Sequence, residues 1–323
     1  MHILIIHSVS IPIREYGGTE RVIWWLGKEL KRLGHRVTYL VPPGSSCPFA
    51  AVLSLDPARP LNDQIPDFID VVHLQFQIKE KLKKPYIITH HGNVHSTREF
   101  DRNTVFVSLN HAQRNGSTRY VHNGIDPEEY GIVDFQKHRQ HLLFLGYAKR
   151  PEKNLKDCAY IARKTANKLA VIGGKSKWWR WRPWLDYKGF IGGEAKNQVL
   201  QASKALLFPV RWHEPFGLAI VESLYFGSPV IGTSYGSLPE LIVNHELGFL
   251  SNKRSELVSA VNNLAGYNRH KIHEYVMNHF TATQMTQNYI KLYEKVLHGE
   301  SLNAKTPIGQ ENFSVETLLP IFD

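Results

Sequence analysis

The chain has 323 residues, enough for about two domains. Hydrophobic residues make up 42% and charged residues 21%, a globular balance that excludes disorder, collagen-like repeats and coiled coil. Lysine and arginine number 39 against 29 aspartate and glutamate, and the formal charge of +10 favours anionic partners: phosphates, nucleic acid or an acidic membrane surface.

No apolar run approaches the ~20 residues that a membrane-spanning helix requires. The N-terminal MHILIIHS lacks the basic start and small-residue cleavage site of a secretory signal, so a cytoplasmic protein is expected. Cys47 and Cys158 lie far apart without paired spacing, which supports neither a disulfide framework nor a zinc site; two buried free thiols are expected.

His2 to His7 is a short apolar run suited to a buried parallel strand, and Ser8 to Thr19 is a loop containing Gly17 and Gly18. Val22, Ile23, Leu26, Leu30 and Leu33 then recur at helical spacing. Gly34 stands where a left-handed C-cap glycine belongs, and Arg36 to Val41 resumes a strand pattern. This is a βαβ unit with a glycine-bearing first turn. Val71 to Leu74, Tyr86 to Thr89 and Thr104 to Ser108 extend the same sheet.

The chain turns polar through Asp134 to Gln140, which puts a domain boundary near residue 138. A second series follows: strand His141 to Gly146, a helix at about Asn154 to Asn167, strands at Lys168 to Ile172, Ala205 to Pro209 and Pro229 to Gly232, and helices starting near Glu194 and Gly217. Alternating strand and helix in both halves predicts an α/β protein with two doubly wound lobes, residues 1–138 and 139–280. Ligands of such lobes bind beyond the carboxyl ends of the strands, so a site is expected in a cleft between them. Thr281 to Leu297 carries Met285, Tyr289, Leu292, Tyr293 and Val296 at amphipathic spacing, one helix occupying 281–298, and 299–323 reads as a tail.

The most informative stretch is Phe208 to Glu240, FPVRWHEPFGLAIVESLYFGSPVIGTSYGSLPE. A strand ends near Pro209, a polar turn presents Arg211, His213 and Glu214, and a helix opens at Gly217. With no side chain at Gly217 a ligand can approach the free N–H groups of the first helical turn, where the helix dipole favours an anion. Glu214 precedes that helix and Glu222 lies in its second turn. Carboxylates repel phosphate but suit hydroxyls, so a sugar diphosphonucleoside would set its phosphate at the helix start, its sugar on Glu214 and its ribose on Glu222. Taken without further context, Glu214 is equally a helix N-terminal charge and Glu222 equally a solvated residue.

The glutamate pair in HEPFGLAIVE, followed by GSPVIGTSYGSLPE, resembles the signature of glycosyltransferase family 4, retaining enzymes of the GT-B fold. Further segments are similar to the same family in the same order: YGGTERV from Tyr16, GHRVTYLVP from Gly34, THHGN from Thr89, HNGID from His122 and FLGYAKRPEKN from Phe144. The resemblance covers about residues 1–297 and implies two Rossmann-like lobes facing a central cleft, with the C-terminal helix packing back toward the N-terminal, acceptor-side lobe.

That resemblance implies roles for individual residues. Glu214 matches the glutamate that faces the donor sugar, and the backbone of Phe216, Gly217 and Leu218 the loop that holds sugar and phosphate. Glu222 matches the ribose-binding glutamate and Lys153 the diphosphate-binding lysine. The family's partner arginine falls on Tyr147, and Arg150 stands in from the longer loop, since charge can reach a phosphate from several backbone positions. The glycine that follows the lysine is here Asn154. Gly17 and Gly18 match the N-lobe glycine loop, and His91, ranked above His90, the histidine near the donor sugar; either histidine is otherwise a hydrogen-bonded core residue. Asn123 reads as a structural cap. Main chain near Gly173 and the Phe190, Ile191 turn would hold the nucleoside.

The implied activity is that of a hexosyltransferase: a hexose moves with retention from a nucleotide sugar, UDP-linked first and GDP-mannose second, to a glycan, lipid-linked or small-molecule acceptor, as in polysaccharide biosynthesis. Charge builds on the leaving diphosphate, where Lys153, Arg150 and the helix start at Gly217 would meet it. No Asp-x-Asp pair occurs in the chain, so no metal and no cofactor beyond the nucleotide-sugar cosubstrate are expected. In a front-face route the donor phosphate itself takes the acceptor proton, and no enzyme base is required.

Two basic stretches stand apart. Lys175 to Lys188, KSKWWRWRPWLDYK, suits base stacking, a membrane interface, a packed loop or a subunit contact. Lys79 to Lys84, KEKLKK, suits anionic lipid at the inner membrane face, an acidic glycan, or simply a solvated helix face. The N lobe is short for the family, which suits an acceptor site completed by a partner or a homo-oligomer. The alternatives are a nucleotide-sugar epimerase on the same fold and a basic nucleic-acid-binding protein.

Overall fold

The structure is a computed structural model describing residues 1–12, 17–94, 96–174, 182–309 and 317–323. It divides into two units: Met1–Asp126 with the stretch that begins at Thr281, and Pro127–Phe280 with the chain's last residues.

In the first unit, β1 (His2–Ile6), α1 (Gly18–Arg32), β2 (Arg36–Val41), β3 (Ala51–Ser54), β4 (Val71–Leu74), β5 (Tyr86–His90), β6 (Arg98–Glu99), β7 (Thr104–Phe106) and α2 (Leu109–Arg114) follow one another. Six strands form a parallel sheet in the order β3-β2-β1-β4-β5-β7. Every residue of β1, β4 and β7 is buried, as an apolar run covered on both faces should be. Helix α1 buries Val22, Ile23, Trp25, Leu26 and Leu30, and Gly34 closes it at φ +85° as expected. The predicted strand at Thr104 to Ser108 stops at Phe106 because Ser108 caps α2, its hydroxyl accepting from His111 N at 3.1 Å.

The KEKLKK segment, read as a solvated helix face, contains no helix. Leu82 anchors it in the core, Glu80 accepts from Leu61 N at 2.9 Å, and Lys84 Nζ donates to Asp67 O at 2.6 Å. That apolar anchor and these two hydrogen bonds hold it as an irregular connection. Cys158 is buried as expected, but Cys47 is only partly so.

The second unit contains β8 (His141–Leu145), α3 (Leu155–Lys164), β9 (Leu169–Ile172), β10 (Leu185–Gly189), α4 (Gly193–Gln201), β11 (Ser203–Phe208), α5 (Leu218–Tyr225), β12 (Val230–Gly232), α6 (Leu238–Leu241), β13 (Gly248–Leu250), α7 (Arg254–Asn262) and α8 (Arg269–His279). Its sheet is parallel in the order β10-β9-β8-β11-β12-β13. Leu142, Phe144, Cys158, Ile161, Val171 and Leu207 lie in its core. The unit begins at Pro127, earlier than the polar run near 138 suggested. Tyr130 packs on Tyr225 with centroids 5.3 Å apart, and Arg269 holds Phe135 O at 2.9 Å, so this polar segment is fastened to the second core.

The final helix α9 (Ala282–Leu297) lies in the first unit against α1 and β5, as the amphipathic pattern and the resemblance implied. It starts with a capping box between Thr281 and Gln284 and buries Met285, Tyr289, Tyr293 and Val296. Tyr293 OH lies 2.8 Å from His73 Nδ1, and Tyr289 OH 3.1 Å from Thr89 Oγ1. Gly124 lets the chain pass against Thr281, where a side chain would overlap the backbone, which gives HNGID the structural role read for Asn123. The segment read as a tail is packed in its described part. Asn303 Nδ2 donates to Arg102 O and Thr104 O at 2.9 Å each, β14 (Ile308–Gly309) pairs antiparallel with β6, and Leu319 N donates to Arg211 O at 2.9 Å. Among the described residues no helix is long and apolar enough to cross a membrane.

Candidate active site

In the second unit the carboxyl ends of β8 and β11 converge on one ion pair. After β8 the chain makes a short turn ending at Lys153, and after β11 it runs through Trp212 to Glu214. Lys153 Nζ lies 2.6 Å from Glu214 Oε2, with the two side chains 15% and 9% exposed. Trp212 Nε1 donates to the same oxygen at 2.7 Å, and its ring lies under the ammonium, 4.5 Å from Nζ. Asn154 explains why this turn works without the expected glycine. It adopts a left-handed φ of +57°, which asparagine tolerates, and its side chain caps α3 while donating to Pro209 O at 2.8 Å. That bond ties the lysine turn to the end of β11.

Gly217 is the left-handed N-cap of α5, at φ +88° and ψ +64°. The left-handed backbone requires glycine, and a Cβ there would also press on Ile220 Cδ1 at 2.8 Å. Phe216 is buried and its carbonyl accepts from Ser237 Oγ at 2.6 Å, which fixes the loop just before the helix start at Leu218. Glu222 is 2% exposed, so it is not a solvated residue. Its Oε1 accepts from Tyr130 OH at 2.6 Å and pairs with Lys196 Nζ at 2.5 Å.

Gly173, Phe190 and Ile191 follow β9 and β10 at the same edge of the sheet. Gly173 has φ +119°, and a side chain there would run into the Gly146 carbonyl. Its own carbonyl accepts from Ala148 N at 2.8 Å and its N–H donates to Gly189 O at 2.8 Å, joining three strand ends. Phe190 is 48% exposed and faces Tyr147, ring centroids 5.8 Å apart. The residue at the family's arginine position therefore makes an aromatic pair. Arg150 stays on the surface with Nη1 3.8 Å from Glu152 Oε1, and the structure does not bring it into the Lys153 cluster. Of the tryptophan stretch, Lys175, Lys177, Trp178, Trp179, Arg180 and Trp181 lie outside the described residues. Trp184 packs between Arg182 and Arg163, 5.5 and 5.9 Å from its ring centroid.

In the first unit Gly17 is the N-cap of α1 with φ −175°, an extended conformation open to any residue, and Gly18 opens the helix. Tyr16 lies outside the described residues. His91 follows β5 with Nε2 2.8 Å from Gln75 Oε1. Desolvation, then His90 and His7, push its pKa down to about 3, so it is a neutral hydrogen-bonding group at physiological pH. His90 is half-buried in an aromatic cluster, 4.8 Å from Phe100 and 5.5 Å from His111 between centroids.

Three residues went unread in the sequence: Trp212, Lys196 and Tyr130. Trp212 stands two residues before Glu214, within reach of a local argument from an indole beside a carboxylate. Lys196, in GEAKNQVLQ, has the pattern of a surface helix, and only its 6% exposure reveals the buried pair.

Residues 143–275 match the family model described as glycosyl transferases group 1. An uncharacterized 41.2 kDa protein in the cps region of Klebsiella pneumoniae is 32% identical over 118 residues, 34% of this chain and 31% of that protein. N-acetyl-alpha-D-glucosaminyl L-malate synthase of Bacillus anthracis is 27% identical over 129 residues, 38% of this chain and 34% of the synthase. The chain thus spans about a third of the length of these curated relatives. Among solved structures, a glycosyltransferase involved in avilamycin A biosynthesis superposes with a TM-score of 0.76 at 21% identity, covering 92% of this chain and 98% of that one. The Anabaena protein HepE in complex with UDP and glucose superposes with a TM-score of 0.64 at 14% identity, covering 90% and 99%. The protein has the GT-B fold, and residues 143–275, within its second unit, are similar to the group 1 glycosyl transferases.

Proposed function

We propose that the protein is a retaining, metal-independent glycosyltransferase that moves a hexose from a nucleotide sugar to a hydroxyl of a glycan, lipid-linked or small-molecule acceptor. The observation that carries this reading is the Lys153–Glu214 pair at 2.6 Å, standing before the glycine-opened helix α5 inside the group 1 segment. A leaving diphosphate gathers negative charge, and Lys153 with the first N–H groups of α5 are preorganised donors for it. Glu214, positioned by Trp212, is assigned the donor-sugar hydroxyls and Glu222 the ribose. Neutral His91 is assigned a hydrogen bond to the sugar, donated or accepted without a change of protonation near pH 7. Gly17 and Gly18 are assigned to diphosphate binding, and Gly173, Phe190 and Ile191 to the nucleoside.

UDP is the favoured nucleotide, supported by the likeness to a protein solved with UDP and glucose, and GDP-mannose comes second. The test is thermal shift with UDP, GDP and ADP, followed by release of UDP from UDP-glucose and of GDP from GDP-mannose, each with and without EDTA. UDP should raise the melting temperature by several degrees, as any ligand of the folded state alone does. EDTA should change neither readout. Stabilisation by none of the three nucleotides, together with no turnover, overturns the reading, and an epimerised donor with no transfer replaces it by the epimerase.

A further inference from the structure

The second unit has a cationic cavity at the edge of its sheet opposite Lys153 and Glu214. Arg139 precedes β8, Lys204 is the second residue of β11, and Pro229 leads into β12, so the cavity lies at the amino ends of strands whose carboxyl ends carry the candidate active site. It encloses about 220 Å³, roughly seven waters at ~30 Å³ each. Arg139, Lys204 and Arg269 line it together with Gly227, Pro229 and Tyr267, and none of its lining residues is acidic.

The three cations are held by neutral groups. Arg139 donates to Ser203 O at 2.9 Å, Ser228 Oγ at 2.8 Å and Phe226 O at 2.6 Å. Lys204 Nζ donates to Asn167 Oδ1 at 2.7 Å, and Arg269 Nη1 to Phe135 O at 2.9 Å. Among the described residues none of the three forms an ion pair. Asp134 attracts Arg139 from a distance, but its carboxylate accepts from Gln136 N and Lys137 N at 2.9 and 3.1 Å. Arg139 is 7% exposed, and its buried Nε has no hydrogen-bond partner among the described residues. Burial, then the nearby Arg269 charge, push the Arg139 pKa down to about 10, the signature of a charge whose compensation is incomplete.

A buried guanidinium without a contacting counter-ion is costly, and an anion entering this cavity would supply the contact that the fold omits. Arginine's planar donor fork suits tetrahedral oxyanions, and lysine adds a point charge. We propose that the cavity lined by Arg139, Lys204 and Arg269 binds a phosphoryl dianion, as free phosphate or as a small phosphate monoester, at a site separate from the nucleotide-sugar site.

The test is isothermal titration calorimetry of the full chain with inorganic phosphate and with a hexose 6-phosphate, at ionic strength held constant with chloride. Saturable phosphate binding is expected, unchanged in Lys153→Ala and at least tenfold weaker in Lys204→Glu of native circular dichroism. Tighter binding of the hexose phosphate identifies a monoester as the ligand, and tighter binding of phosphate identifies the free ion. If Lys204→Glu does not fold, Lys204→Gln should weaken binding at least threefold. No saturable heat, binding that survives the Lys204 substitution unchanged, or binding lost in Lys153→Ala overturns the proposal.

Discussion

Lys153 Nζ and Glu214 Oε2, separated by 61 positions in sequence, lie 2.6 Å apart at the carboxyl ends of β8 and β11. Each neutralises the other in a largely buried setting, and breaking such a pair from one side leaves a charge without its partner. Lys153→Met and Glu214→Leu should each lower the melting temperature, whereas Lys153→Met/Glu214→Leu should recover part of the loss. Denaturant titration of the four proteins measures the coupling, and additive losses show that the pair is not energetically linked. Donor turnover should fall at least about a hundredfold in Lys153→Met, the scale of removing one transition-state charge donor.

Asn154 combines a left-handed backbone with a helix cap. Asn154→Gly keeps the conformation and loses the side-chain bonds to Asp157 and Pro209, whereas Asn154→Ala loses both. Alanine should therefore be less stable than glycine by about 1 kcal/mol, the cost of placing a Cβ in the left-handed region. Equal urea midpoints for the two variants refute this assignment.

Gly173 admits no side chain, since a Cβ would overlap the Gly146 carbonyl and φ is +119°. Gly173→Ala should displace the loop after β8 that leads to Lys153, lowering nucleotide affinity together with stability. Gly34→Ala, with φ +85° and open space around it, provides the comparison: it should cost about 1 kcal/mol and leave nucleotide binding intact. Wild-type UDP affinity in Gly173→Ala refutes the positioning role.

The first unit should lose stability in mild acid. Desolvation pushes the pKa of His73, His91 and His111 down to about 3, and that of His90 to about 4. Between those values and 6.5 the unfolded chain binds more protons than the folded one, so stability is complete above about pH 6.5 and falls as pH drops. At pH 5, 1.5 units below the ordinary value, one such histidine costs about 2 kcal/mol. His73→Gln should flatten the decline in melting temperature between pH 7 and 5, and an unchanged slope shows that His73 does not contribute.

The α/β class, the two strand–helix series, the helix-opening Gly217 and the returning amphipathic helix were all legible in the sequence. They rest on period, run length and glycine placement, which are local properties of the chain. What escaped was long-range. Of the four edge strands of the two six-stranded sheets, β3, β10 and β13 went unread: β10 is interrupted by Asp186 and Lys188, and β3 and β13 are only four and three residues long. Strand order brought Lys153 to Glu214, placed Lys196 against Glu222 and left three cations around one cavity. None of these has a signature in spacing: a lysine in an amphipathic helix reads as solvated until the sheet beneath it is assembled. Composition and periodicity determined which segments became strands and helices, while tertiary packing decided which charges were buried and with what partners, because burial depends on the neighbours that topology supplies.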